Sequence, residues 1–436
     1  MYKAQCYLLS NPLPLALLFA FVRRARPVAV VGSLVVVTKA RDVRELLYRL
    51  ADFTTADDLG PKIPWGPFMV VIDWPEQHKR ERDFLQSVVN KYGGDVDQIR
   101  GEAAKICRAR INQACKCGRI DVVKQLCDPV VIDIIESYFG IPSGGLSADE
   151  MARLLGRIAG FILVEPPAGS AIRMQSLDSI ATLTSLIVGR ITGKIPAPKT
   201  VGNPDLLTRL LTRNPNTPAW VDADWIRRYI TGLAVFGGGT IIRATAQAID
   251  QLLEHPADLQ AAQALAQEIE ADTLECERLK AAGAPSQHVQ DRIIAARGKL
   301  LQIIYEALRF RPMLPLLSRY VPRETIIAKD TSYARMAPAG ATALAPPIAA
   351  MFDPEEFPHP WRFDRTRCLK KYVHFGHGPR ECFGKYVADV LMIEIFRALL
   401  LCKDLKRAGG AAGRIAYEGP AVSSLTLTLG VEKVPS

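Results

Sequence analysis

The sequence predicts a mainly α-helical chain with a small β portion, an α+β class. Three observations carry this. Apolar residues recur at helical spacing over 101–139, 150–190, 204–213, 225–253 and 257–277. Two β-branched runs, Val28–Val31 and Leu34–Thr38, flank Gly32-Ser33, which is a hairpin signal. A glycine-punctuated loop around Cys382 leads into an apolar helical run from Tyr386 to Leu401.

In chain order, Leu13 to Val22 is an apolar run of ten, too short to span a bilayer. Arg23, Arg24 and Arg26 follow it rather than precede it, so it makes a poor signal peptide. After the hairpin, Asp42 to Leu50 resumes helical spacing. Asp73 to Arg82 opens a further helix, with His78 and Arg82 four apart on one face. Pro196 to Pro204 reads as a loop. Trp225 to Leu253 reads as one long apolar helix, interrupted by Gly237-Gly238-Gly239 and ended by His255-Pro256. Three interior glycines cost roughly 1 kcal/mol each against alanine. That cost points to a kink, or to something that closely approaches the backbone. Ala257 to Glu277 is helical, and Ala281 to Ser286 breaks it before the helix that holds Glu306 and Arg309. Those two residues are three apart and share a face, and Pro312 ends their helix.

Composition narrows the function. The net charge is +10 and the pI about 9.1, yet no nucleic-acid recognition motif accompanies the charge, so no nucleic-acid partner is expected. Nine scattered cysteines are an odd number in a long chain, which reads as a reducing compartment without disulfides. Cys115-x-Cys117 has no matching second pair, which argues against zinc. No Gly-x-Gly-x-x-Gly follows a strand, so no nicotinamide or flavin site is expected.

The most informative stretch is Phe375-Gly376-His377-Gly378-Pro379-Arg380-Glu381-Cys382-Phe383-Gly384. Glycines let the backbone turn tightly against a flat cofactor, and a following helix N-terminus stabilises negative charge on sulfur. Phe375, Gly378, Arg380, Cys382 and Gly384 match all five markers of a Phe-x-x-Gly-x-Arg-x-Cys-x-Gly motif. The loop resembles the haem-ligand loop of the cytochrome P450 superfamily, in which a cysteine thiolate ligates haem iron. The resemblance spans nearly the whole chain. It implies the P450 fold, with the 225–253 helix crossing the haem's distal face. It also implies one haem domain over 1–436, with a β-rich portion at about 26–70 and 313–362.

The resemblance implies roles for individual residues. The cofactor is haem b (iron protoporphyrin IX), with Cys382 as the metal ligand and Phe375, Gly376, Gly384 and Gly237 against the macrocycle. Arg380, His78, Arg82 and Arg319 are expected to hold the propionates, since buried carboxylates need charge-assisted partners. Glu306, Arg309 and, from Pro358 to Phe363, Arg362 form a structural triad behind the loop. Thr240 matches the alcohol that manages protons, but the acid that usually precedes it is Gly239 and the usual small residue four before it is Phe236. Phe236, Gly238, Leu316 and Ser423 are expected to line the substrate pocket, with Trp65 to Val71, Leu314 to Leu317 and Val422 to Leu425 around them. These segments are mostly apolar, so an apolar small molecule, lipid or terpenoid-like, is expected.

The implied reaction is monooxygenation with electrons from a separate acidic ferredoxin, steered by Lys79, Arg80, Arg365, Arg367, Lys370, Lys371 and Lys385. No reductase domain is expected to follow the haem domain. The missing acid keeps a second reading open, peroxide-dependent or lipid-hydroperoxide-rearranging chemistry. Leu405 to Leu429 also faintly resembles fungal fused fatty-acid oxygenases. A haem-binding sensor without turnover is a third reading, and proton machinery at Thr240 speaks against it. A cytoplasmic monomer with no transmembrane segment is expected, with peripheral membrane contact as an alternative.

Overall fold

The computed structural model describes residues 2–89, 94–198, 202–212 and 215–430. The helices are α1 Tyr2–Ser10, α2 Leu13–Ala25, α3 Ala40–Tyr48, α4 Ala56–Leu59, α5 Pro75–Val88, α6 Val96–Cys117, α7 Asp128–Ser137 and α8 Ala148–Leu163. They continue with α9 Ala171–Ile191, α10 Leu206–Leu211, α11 Ala223–Leu252, α12 Pro256–Ala281, α13 Gln287–Phe310, α14 Pro347–Met351 and α15 Lys385–Leu400. The strands are β1 Val28–Val31, β2 Leu34–Val37, β3 Arg119–Asp121, β4 Ser318–Tyr320, β5 Thr325–Ile327, β6 Arg335–Ala337, β7 Thr342–Leu344, β8 Lys406–Arg407, β9 Ala416–Glu418, β10 Ala421–Ser424 and β11 Thr426–Thr428.

α11 runs unbroken through its three glycines. The Asp222 side chain caps its start by accepting from the Trp225 N–H at 2.7 Å. Most of its side chains are buried, because α7, α8, α9, α13 and α15 pack around it. Two expected helices divide. The 150–190 stretch is α8 and α9, because Pro166-Pro167 cannot continue a helix and Ser170 caps a new one. The 101–139 stretch breaks at Gly118, which stands at φ +66° in the left-handed region. β3 follows, then a π-helical turn at Val122–Cys127 before α7. The expected loop at 196–204 and helix at 204–213 lie partly outside the described residues, at 199–201 and 213.

The Val28–Val31 and Leu34–Val37 hairpin is antiparallel, and it forms one edge of a sheet ordered β1-β2-β7-β4. Arg319 is the middle residue of β4, opposite Ala343. β3, β8, β9, β10 and β11 fall outside the expected β-rich ranges. They are two to four residues long, too short to show as sequence runs, and β11 reaches back to pair with β3.

α2 buries Leu15, Ala16 and Phe19 against Phe310, Ile348 and Phe352, a smaller cluster beside the main core. No single helix among the described residues is long and apolar enough to cross a membrane. α1 and α2 reach that length together but are bent by 87°. All nine cysteines are free thiols.

Candidate functional site

The cysteine loop is held by its own backbone. The Cys382 N–H donates to the Phe375 carbonyl at 2.8 Å, which closes the turn. Gly378 stands at φ +73°, and a Cβ on it would lie 2.8 Å from Tyr48 Cδ2, so no side chain fits there. Gly384 precedes the first turn of α15, and its N–H points back to the Cys382 sulfur. Burial pushes the thiol's pKa up, while the Gly384 N–H and Arg82 pull the other way. The thiol is accessible to a water-sized sphere and yet enclosed by protein. Both hold if it faces an interior cavity rather than bulk solvent.

α11 presents one less buried face. On this mostly buried helix, Leu233, Phe236, Gly237, Thr240 and Ala244 are half-buried and share one face, while Gly239, also half-buried, turns toward α8. Gly237 has open space where a Cβ would stand. Phe236 packs on Phe68 with ring centres 5.6 Å apart. The Thr240 hydroxyl donates to the Phe236 carbonyl, which leaves its lone pairs free to accept.

Gly238 and Gly239 face elsewhere. A Cβ on Gly238 would lie 2.5 Å from Leu155 Cδ1, so this residue packs against α8 and does not line the expected pocket. A Cβ on Gly239 would lie 3.4 Å from both Ala159 Cβ and Gly156 Cα. The position of the usual acid therefore lies at a helix–helix contact and turns toward α8. Leu316 also departs from expectation. It packs on the small cluster around α2, while its neighbour Leu317 packs on the main core. Ser423 sits half-buried at the irregularity between Val422 and Ser424 in the β9–β10 pair.

The four expected propionate holders converge. His78 is 2% exposed, and its pKa is pushed down to about 4 by burial, then by Arg380 and Arg82. Burial, then repulsion from Arg380, lowers Arg319 to about 10, and its one hydrogen bond among the described residues goes to the neighbouring Ser318 carbonyl at 2.7 Å. Arg380 pairs with Asp73 and donates to the Ile72 carbonyl at 3.0 Å, while its Nε and Nη1 are buried without partners. Arg82 lies 5.6 Å from the centre of the Phe383 ring and within electrostatic reach of Cys382. These cations are crowded out of water with donors to spare, which suits a dicarboxylate edge. A sulfur ligand, a bare helix face at Gly237 and surplus cations at one edge together fit haem.

Behind the loop, Glu306 and Arg309 are fully buried and doubly bonded, Nε–Oε2 at 2.9 Å and Nη2–Oε1 at 2.7 Å. The third arginine is Arg367, whose Nε reaches Glu306 Oε1 at 3.4 Å. Arg362 is exposed and contributes only its backbone carbonyl, which accepts from Arg309 at 3.2 Å. Arg367 therefore leaves the expected donor-steering surface. Most of the remaining cations there are matched, Lys79 to Asp83, Arg365 to Asp258, Lys371 to Glu356 and Lys385 to Glu381.

The sequence reading missed Asp73, Arg367 and Arg243. Asp73 begins the Asp73 to Arg82 stretch, where only His78 and Arg82 have an expected role. Nothing in the spacing distinguished Arg367 from Arg362.

A family model described as Cytochrome P450 matches residues 275–403, which hold Glu306, Arg309, Arg367 and Cys382. Cyclomarin C epoxidase CymV of Salinispora arenicola is 24% identical over 318 residues, covering 72% of this chain and 68% of that protein. A bifunctional dioxygenase–epoxy alcohol synthase of Fusarium oxysporum is 40% identical over 68 residues. That match is 16% of this chain and spans only 5% of the fungal protein's length. A structure of a mutant of P450 EryK in complex with erythromycin B superposes with a TM-score of 0.74 at 19% identity, over 98% of this chain and 99% of that one.

Proposed function

We propose that this chain is a haem-thiolate monooxygenase of the cytochrome P450 superfamily acting on an apolar small molecule, with electrons from a separate ferredoxin-type donor. The observation that carries the reading is the Cys382 loop, closed by its own backbone and followed by the Gly384 N–H at the start of α15, with the cations Arg82, Arg319 and Arg380 near it. Haem held by the Cys382 thiolate supplies oxygen activation, sulfur donating electron density that favours O–O cleavage.

The chain's own residues do the rest. Gly384 N–H and Arg82 stabilise the negative sulfur. Arg319, Arg380 and Arg82 supply charge for the propionates, and His78, neutral at pH 7, supplies a ring N–H. Phe236 gives the less buried face of α11 an apolar side chain, backed by Phe68 and Trp65. Thr240 already donates to the Phe236 carbonyl, so it accepts a hydrogen bond from water or from a substrate hydroxyl and holds that proton at Oγ1. With glycine at 239, no neighbouring carboxylate refills a relay, and protons come through water.

Gly239 also favours a second reading. An enzyme that takes a peroxide or rearranges a lipid hydroperoxide needs less proton delivery, and the matched fungal relative is named an epoxy alcohol synthase. Turnover of fatty acids, their hydroperoxides and terpenes under two regimes separates the two. One regime supplies NADPH, a ferredoxin and its reductase, and the other supplies only peroxide or lipid hydroperoxide. Product only with the electron chain supports monooxygenation, and product without electrons overturns it in favour of the second reading. Cys382→Ala is expected to abolish the thiolate-type spectrum of the carbon monoxide complex, and a retained one would sink the ligand assignment.

A further inference from the structure

We infer that Arg243 is the counter-charge for a carboxylate, so that the apolar substrates of this enzyme carry an acid group. This rests on the proposed function of the cavity and names its substrate class. Arg243 stands one turn beyond Thr240 on α11 and is 3% exposed. Arg23, Arg190, Arg243, Arg309, Arg367 and Arg397 are the buried arginines among the described residues. Arg23 faces Asp353, Arg190 faces Asp205, Arg309 and Arg367 face Glu306, and Arg397 faces Glu394. Arg243 alone of the six has no acid. Its electrostatic neighbours are Tyr417 and Cys6, neither of them a carboxylate.

The guanidinium is positioned but not neutralised. Nη1 donates to the Pro420 carbonyl and Nη2 to the Leu9 carbonyl at 2.7 Å, while Nε is buried without a partner. A guanidinium has five N–H donors, so these bonds leave some unused. Burying a cation without an acid costs several kcal/mol, a cost that persists where something else supplies the charge. At Arg319 and Arg380 the propionates of a bound haem would answer that need. At Arg243 nothing assigned to the protein does.

The surroundings say what would. Arg243 and Thr240 border a cavity of about 20 Å³, room for about one water or a carboxylate oxygen, between α11, α8 and the β9–β10 turn. Apart from those two side chains its walls are apolar or backbone: Gly156, Ala159, Gly160 and Pro420 among them. Thr240 belongs both to this cavity and to the half-exposed stripe of α11. A chain anchored at Arg243 therefore runs past Thr240 along Gly237 and Phe236 to Leu233, about 15 Å of helix. An apolar tail with one carboxylate fits this layout. A neutral end group would leave the charge unanswered.

The test is calorimetric titration of the haem-loaded protein with dodecanoate and hexadecanoate against 1-dodecanol and 1-hexadecanol at neutral pH. The acids are expected to bind about tenfold tighter or better, the scale of one charge-assisted hydrogen bond. Arg243→Gln keeps amide N–H donors for the Pro420 and Leu9 carbonyls but removes the charge. It should hold its haem and lose the preference for the acid. Alcohols that bind the unaltered protein as tightly as acids, a preference that survives in Arg243→Gln, or no measurable binding of either class would each overturn the inference. The first comparison needs no variant, so it stands if Arg243→Gln fails to fold. Failure of the monooxygenase reading shows separately, as product without electrons or no product at all.

Discussion

Two clusters of buried charge lie on either side of the cysteine loop, and they are built differently. At Glu306 the ledger of hydrogen bonds closes. Arg309 gives its five donors to Glu306 twice and to the carbonyls of Met351, Pro360 and Arg362. Glu306 accepts in addition from Arg367, the Tyr372 hydroxyl at 2.8 Å and the Asp364 N–H at 2.9 Å. At the other cluster the count stays open: Arg380 keeps two buried nitrogens without partners, and Arg319 donates only to the carbonyl beside it. A closed cluster suits a scaffold, and an open one suits the binding site proposed above. Burial and charge are alike in both, so satisfaction is what separates them.

The largest effect should come from opening the closed cluster. Glu306→Ala strands two buried arginines, at a cost of about 3–5 kcal/mol. Total stability in a domain is typically only about 5–15 kcal/mol. Little folded protein is expected, read as soluble yield and as the midpoint of urea unfolding. Arg367→Ala should lower that midpoint, while Arg362→Ala should leave it near the parent value, because only the Arg362 backbone takes part. The reverse order for the two arginines would restore Arg362 to the triad.

Asp128 sharpens the comparison as a buried acid with no such network. It is 4% exposed, and burial, with Asp149 and Asp121 nearby, raises its pKa to about 8. A folded pKa above the unfolded value means the protonated form is favoured by folding. Stability from this group is present below about pH 4 and is lost as pH rises to about 8. Asp128→Asn should therefore be more stable than the parent by a few kcal/mol at pH 8 and should flatten that slope. Thermal unfolding between pH 5 and 8 checks it, and parallel curves for the two proteins would place the carboxyl in a satisfied site.

Opening the open cluster further should cost the fold nothing. Arg319→Gln removes a cation that Arg380 repels, so the apoprotein should be at least as stable as the parent. Haem affinity should fall about tenfold, the scale of one charge-assisted bond. Haem titration of the two apoproteins reads this directly. Unfolding of the variant would show that Arg319 is scaffold after all.

How legible each cluster was in the sequence follows from its physics. Cys382, Arg380 and Glu306–Arg309 were readable because fixed spacing along one loop or one helix turn carries the chemistry. The third arginine was not, since Arg362 and Arg367 lie on an irregular segment where only the folded backbone decides which side chain turns inward. The long α11 was readable from its apolar spacing. Its breaks elsewhere were less so: Gly118 and Pro166-Pro167 stood in plain view but were read through, and strands of two to four residues leave no periodic trace. Leu316 and Gly238 were misplaced because a pocket is assigned by the direction a side chain points, and neighbours in sequence point to opposite sides.

The three glycines of α11 carry that lesson at the smallest scale. In sequence Gly237, Gly238 and Gly239 are equivalent, each a loss of about 1 kcal/mol of helix propensity. In the structure Gly237 has open space around its missing Cβ, and Gly238 has Leu155 Cδ1 at 2.5 Å. Leu155 is fully buried, so it has nowhere to go. Gly237→Ala should therefore recover up to about 1 kcal/mol, raise the urea midpoint and narrow the cavity, weakening binding of an apolar ligand. Gly238→Ala gains the same propensity but overpacks α8, at about 1–3 kcal/mol, so its midpoint should fall. The opposite signs are the prediction. If both variants shift the midpoint the same way, the division of α11 into a cavity face and a packing face is wrong, and the missing acid at Gly239 needs another cause than the closeness of α8.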